Sequence, residues 1–123
     1  MSGRSLLITG CSSGSGYDAA QGMRNRGWRV FAACRKSADC ARLAQEGFES
    51  PLIDYERPET IDAGLAEVLD ATGGTLDAVF NNGAYAIPGA VEDLPTDALR
   101  AIFEANLFGW HALTRRVIPV MRA

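Results

Sequence analysis

The stretch LLITGCSSGSG, Leu6–Gly16, decides how this chain is read: apolar and β-branched residues give way to three glycines and three serines within the seven positions 10–16. Glycine loses more backbone freedom on folding than any other residue, so a turn this rich in it is retained where the backbone must approach something closely. The segment Ser5–Thr9 before the turn has the composition of a short buried strand. Helix formers follow from Ser15 to Arg26 and stop at Gly27, so the turn joins a strand to a helix.

Beyond this unit the same alternation continues. WRVFAAC, Trp28–Cys34, predicts a second strand, and Ser37–Glu46 predicts a helix with Ser37 as N-cap and Gly47 as its stop. A third strand is expected over Phe48–Asp54. RPETIDAGLAEVLDATGG then places Pro58 near a helix start, apolar residues at Ile61, Leu65, Val68 and Leu69 on one stripe, and a double stop at Gly73 and Gly74. LDAVFNN, Leu76–Asn82, predicts a fourth strand, and after a loop containing Pro88 and Gly89 a long helix runs from about Pro95 towards the C-terminus. Strands alternating with helices imply an α/β fold with a parallel sheet, because each crossover needs a helix to return the chain to the same end.

In such sheets ligands bind beyond the carboxyl ends of the strands, where the glycine turn lies. The free N–H groups and positive dipole end of the helix that follows favour a phosphate. Gly10, Gly14 and Gly16 would let the backbone approach a pyrophosphate and pack on the sheet, while Ser12 and Ser13 offer hydroxyls. The glycine spacing, four and then two, is not that of GxGxxG; a merely tight strand-to-helix turn is the competing reading, and the βαβ context supports dinucleotide binding. At the end of the second strand a carboxylate would suit NAD, whereas a cation suits the 2′-phosphate of NADP. The chain has Arg35 and Lys36 there and no carboxylate before Asp39, so NADP(H) is favoured over NAD(H), with two solvated surface cations as the alternative.

These residues together resemble the short-chain dehydrogenase/reductase family. TGCSSGSG, Thr9–Gly16, is similar to its TGxxxGxG cofactor loop, and Asp54 to the aspartate that contacts adenine. NNGA, Asn81–Ala84, resembles its NNAG motif; Asn106 in ANLFG resembles the helix asparagine supporting the catalytic lysine, and Arg35 matches the position read by the 2′-phosphate. The resemblance spans the chain and implies a Rossmann-like parallel sheet with helices on both faces, here a (βα)4 fragment of strand order 3-2-1-4, forming a single partial dinucleotide-binding domain over 1–123. The cofactor-binding set it implies is Gly10, Ser12, Ser13, Gly14, Ser15, Gly16, Arg35, Lys36, Asp54, Tyr55, Asn82, Gly83 and Ala84, with Asn106 in a supporting catalytic role.

Three departures qualify the match. Ser15 stands where the family has an apolar residue, commonly Ile, that packs under the loop. Gly83 and Ala84 reverse the usual Ala-Gly order. The family's substrate-polarising serine and YxxxK pair do not occur: none of Tyr17, Tyr55 and Tyr85 has a lysine four residues on, and the sequence stops at RRVIPVMRA, where members continue into a fifth strand. The chain is expected to be the amino-terminal half of an alcohol/ketone oxidoreductase, inactive alone. The alternatives are a dinucleotide-binding module without chemistry, or a natural or engineered structural fragment that binds little. Strand four at an open edge, and a last helix rich in Ile102, Phe103, Leu107, Phe108 and Trp110, imply self-association as a homodimer or a larger assembly, with a repacked monomer as the alternative.

Composition narrows the remaining classes. The net charge of −3 carries no basic excess for nucleic acid, and no apolar run reaches the length of a membrane span. Met1–Arg4 leads into the first strand without a signal-peptide layout. Cys11, Cys34 and Cys40 are odd in number and lack CxxC spacing, which predicts reduced structural thiols and a cytoplasmic location. The single histidine, His111, cannot build a metal site or a triad by itself, and Glu56/Glu59 and Glu92/Asp93 read as helix-dipole or solvated carboxylates. Tyr85, Ile87 and Pro88 either border a pocket or pack a loop.

Overall fold

The computed structural model describes residues 3–123; the leader reading at Met1–Arg4 therefore lies partly outside the described residues. Its elements run β1 (Ser5–Ile8), α1 (Gly14–Asn25), β2 (Arg29–Ala32), α2 (Ser37–Gln45), α3 (Pro58–Thr72), β3 (Ala78–Phe80), α4 (Thr96–Phe103) and α5 (Gly109–Arg122). A short 3-10 turn, Val91–Asp93, precedes α4, and a π-helical turn, Glu104–Phe108, joins α4 to α5. Both β2 and β3 pair with β1 in parallel, giving the order β2-β1-β3, with Leu7 opposite Phe31 on one side and Val79 on the other.

Strand alternation divides the core into two layers, as a period of two requires. Leu6, Ile8, Val30 and Ala32 point to one face, where Ala20 of α1 and Leu43 of α2 cover them. Leu7, Phe31 and Ala33 point to the other, where Ile61, Leu65 and Val68 of α3 meet Leu113 and Val117 of α5. The apolar stripe expected on the third helix is thus the one that covers the sheet. Helices on both faces of a parallel sheet make the fold Rossmann-like.

The expected order 3-2-1-4 is only partly realised. The segment Phe48–Asp54 lies beside β2 but is reduced to two isolated bridges, Phe31 with Glu49 and Cys34 with Leu52. Pro51 explains the interruption. The backbone bonds from Ala32 N to Glu49 O (2.8 Å), from Cys34 N to Pro51 O (3.2 Å) and from Ile53 N to Cys34 O (2.9 Å) follow a parallel ladder. The next donor in that ladder would be the N–H of residue 51, which proline lacks. The Ser50 hydroxyl takes its place and donates to Ala32 O at 2.6 Å.

Helix ends show how local chemistry sets boundaries. Pro58 occupies the first turn of α3 and Gly73 closes it at φ 77°, as the sequence implies. Helix α2 differs: Lys36 is its N-cap and Ser37 the first helical residue, with no side-chain cap bond. The long C-terminal helix is divided by the π turn, which carries Asn106. No helix of the described residues is long and apolar enough to cross a membrane.

Candidate functional site

A cleft of about 280 Å³ opens at the carboxyl ends of β1, β2 and the segment beside it. Its walls are Thr9, Gly10, Ser12 and Ser13 from the turn, Arg35 beyond β2, residues 53–56 and residues 82–85, with Ala105 of the π turn beneath. The structure therefore brings together Gly10, Ser12, Ser13, Arg35, Asp54, Tyr55, Asn82, Gly83 and Ala84. Gly14, Ser15, Gly16, Lys36 and Asn106 lie outside its walls. Ser15 is exposed in the first turn of α1 and Lys36 is exposed at the start of α2.

The three loop glycines serve different ends. A Cβ on Gly10 would fall 2.7 Å from Gly83 Cα, and one on Gly16 would fall 2.4 Å from Gly10 O. Those two let the turn, α1 and the 82–83 loop pack backbone against backbone. Gly14 has φ 63° and nothing within 4 Å of its Cβ position, so it keeps open the approach to the start of α1. Ser13, the N-cap of α1, makes no side-chain cap bond, and no acidic residue stands in the first turn. The helix end thus keeps its donors and positive dipole for an anion, supplied from outside the helix.

Thr9 organises the floor of the cleft. Its buried hydroxyl oxygen accepts from Asn82 N and Gly83 N, each at 3.0 Å, and lies 2.7 Å from the Tyr55 hydroxyl. With both lone pairs taken, the Thr9 hydroxyl must donate to Tyr55. Tyr55 in turn donates to Asn81 Oδ1 at 2.5 Å, and Asn81 Nδ2 donates to Thr114 of α5 at 3.1 Å. One directed chain of hydrogen bonds therefore links β1, the 81–83 loop and α5. Burial pushes the Tyr55 hydroxyl up to about 12, keeping it a neutral donor.

Helix α5 braces the same loop. Trp110 Nε1 donates to Gly83 O at 2.6 Å, and Gly109 comes so close that a Cβ there would fall 2.2 Å from Tyr55 Cβ. The reversed Gly-Ala order has a local reason: a Cβ on Gly83 would fall 3.1 Å from Tyr55 Cε2, so a small residue at 83 makes room for the tyrosine ring.

The mouth of the cleft is polar. Asp54 Oδ1 accepts from Glu56 N at 3.0 Å and fixes the turn after residue 54. Tyr85 donates its hydroxyl to Glu56 Oε1 at 2.6 Å, which together with partial desolvation raises the Tyr85 pKa above the ordinary phenol value. The Arg35 guanidinium lies over the Tyr85 ring, 5.9 Å from its centroid. The side chain of Asn106 is spent on the Tyr85 backbone: it accepts from Tyr85 N at 3.1 Å and donates to Tyr85 O at 2.8 Å.

Sequence reasoning missed Thr9, Asn81, Glu56 and Trp110 as parts of this site. From sequence Thr9 reads only as the end of a strand within a motif, and the others act through contacts 26 to 29 residues away in sequence. Burial leaves Cys11 and Cys34 as protonated thiols, pushed up to about 12 and about 11. His111 is exposed on α5, and no metal-holding cluster occurs among the described residues.

A second cavity, about 680 Å³, adjoins the first across Tyr85. Tyr85 and Ile87 line it together with Leu94, Leu99, Ile102 and Asn106, whereas Pro88 does not.

Comparison with known proteins agrees with this geometry. The family model described as short chain dehydrogenase matches residues 4–123. The uncharacterized oxidoreductase YbbO of Escherichia coli strain K12 is 39% identical over 118 residues, covering 96% of this chain and 44% of that protein. Among solved structures, the 3-ketoacyl-(acyl-carrier-protein) reductase of Brucella melitensis complexed with NADH superposes with TM-score 0.85 at 27% identity, covering 95% of this chain and 49% of that one. Actinorhodin polyketide ketoreductase with NADPH superposes with TM-score 0.87 at 27% identity, covering 96% and 47%. The chain spans about half the length of the relatives it matches or less, and it belongs to the short-chain dehydrogenase family.

Proposed function

We propose that this chain is the dinucleotide-holding half of an oxidoreductase that moves hydride between a nicotinamide cofactor and an alcohol or ketone, and that it selects NADP(H) over NAD(H). The residues present fit such a cofactor. The open side of Gly14 and the uncapped start of α1 suit the pyrophosphate, Ser12 and Ser13 offer it hydroxyls, and residues 54–56 and 82–84 wall the nucleoside end. When bound, the nicotinamide supplies or accepts the hydride. The chain's own residues hold and orient it, and without a YxxxK pair they do not complete turnover.

The observation that carries the NADP assignment is the state of Arg35. Arg35 makes no ion pair among the described residues, as is also true of Arg24, Arg26, Arg115 and Arg122, but of these Arg35 alone lines the cleft. A guanidinium without a counter-ion beside a nucleoside pocket suits the fork geometry of a phosphate. NADH-bound and NADPH-bound structures both occur among the similar proteins, so calorimetric titration with each cofactor decides the matter. Arg35→Ala should weaken NADPH by about tenfold or more, the worth of a charge-assisted hydrogen bond, and change NADH by less than about threefold. Equal losses for the two cofactors would contradict the assignment.

The same reading extends to assembly. Leu99, Phe103, Leu107 and Phe108 are exposed along α4 and the π turn, and among the described residues β3 pairs only with β1. Exposed apolar surface of this extent beside an open strand edge supports self-association of the chain as a homodimer.

A further inference from the structure

Two tyrosines line the cleft, and they differ in what they can offer. Tyr55 is buried, and its hydroxyl is consumed between Thr9 and Asn81. Tyr85 is only partly buried and borders the cleft with its side chain. It is held at three points: its N–H and C=O by the Asn106 amide, its hydroxyl by Glu56. An aromatic ring fixed in this way loses little freedom when a ligand packs on it.

We propose that Tyr85 is the platform on which the adenine of the dinucleotide stacks, with the Arg35 guanidinium closing over the opposite face of the base. This rests on the dinucleotide reading above and names the residue that holds the base. The spacing supports it. A flat base between two flat groups needs about 3.5 Å on each side, close to 7 Å in all. The Arg35 carbon already stands 5.9 Å from the Tyr85 centroid, so an outward swing of about 1 Å by this exposed side chain, which no carboxylate restrains among the described residues, admits the ring. Charge gives the orientation. A phosphate on the ribose 2′-oxygen would meet the edge of the Arg35 guanidinium while the base, one sugar from that phosphate, stacks on its face, and the Asp54 and Glu56 carboxylates beside Tyr85 tolerate a neutral base there. Glu56 and Asn106 are then positioning residues for the platform.

The probe is 2′-phosphoadenosine 5′-phosphate, titrated into the 123-residue chain and followed by calorimetry and by proton NMR of adenine H2 and H8. Tyr85→Phe keeps the ring and should bind within about threefold of the parent, with both protons shifted upfield by the ring current. Tyr85→Ala should bind about tenfold or more weakly, in line with base–aromatic stacking, and lose the upfield shift. Tyr85→Leu keeps apolar bulk without a ring and should behave as Tyr85→Ala, which provides the reading if the alanine variant does not fold. Equal or tighter binding by the ringless variants, with unchanged shifts, would overturn the platform alone. A folded parent that does not bind the probe would overturn the dinucleotide reading and the platform with it.

Discussion

The centre of the sheet and one of its edges are built to different standards. Strand β1 is flanked on both edges and covered on both faces, and all four of its residues are buried. Strand β3 has one neighbour among the described residues, none of its three residues is buried, and Phe80 is 41% exposed. The helices repeat the contrast: α3 buries five residues and α4 buries none. The cleft is walled from the turn after β1, residues 53–56, the loop after β3 and Ala105 of the π turn, and none of the exposed apolar residues Leu99, Phe103, Leu107 and Phe108 lines it. If the proposed cofactor binding and self-association both hold, they would therefore be separable properties of one chain.

The sharpest way to break this contrast is to remove equivalent apolar groups from the two regions. Leu7→Ala empties a fully buried position in the centre of the sheet and should cost about 3 kcal/mol in urea denaturation. Leu107→Ser on the exposed turn should change stability by less than about 0.5 kcal/mol while shifting the chain towards monomer in light scattering. A comparable loss of stability from both would show that the exposed face is part of the core of the isolated chain.

A smaller effect tests the floor of the cleft. Thr9→Val keeps shape and removes the acceptor shared by Asn82 N and Gly83 N, stranding two amides and taking one donor from the Tyr55 hydroxyl, which still donates to Asn81. The expected cost is about 2 kcal/mol, with Thr9→Ser recovering most of it because the oxygen remains. If the valine variant is as stable as the parent, the directed chain from Thr9 through Tyr55 to Thr114 does not hold the loop in place.

Periodicity made most of the closed side legible. The β1–α1–β2 unit, the apolar stripe of α3 and its Pro58 and Gly73 boundaries all follow from local chemistry, and the structure follows them. The full third strand expected over Phe48–Asp54 is not realised because its pattern does not register a missing donor at Pro51, and Ser50 conceals the gap by donating in its place. The break in the last helix was invisible for a different reason. The π turn at Glu104–Phe108 accompanies the clamp of Asn106 on the backbone of Tyr85, a contact between residues 21 positions apart, while the local sequence favours a continuous helix. In the site, the motif residues are legible through resemblance to a family. Glu56, Trp110 and the clamped setting of Tyr85 are not, because each depends on a partner distant in sequence.

The most direct test of the separation between cleft and exposed face is amide chemical-shift mapping of the chain during titration with NADPH. The account predicts saturable shifts concentrated at residues 9–17, 34–36, 53–56 and 82–85, with Val91, Leu99, Phe103 and Leu107 unchanged. Shifts confined to the α4 face, or none at saturating cofactor in a folded sample, would contradict it.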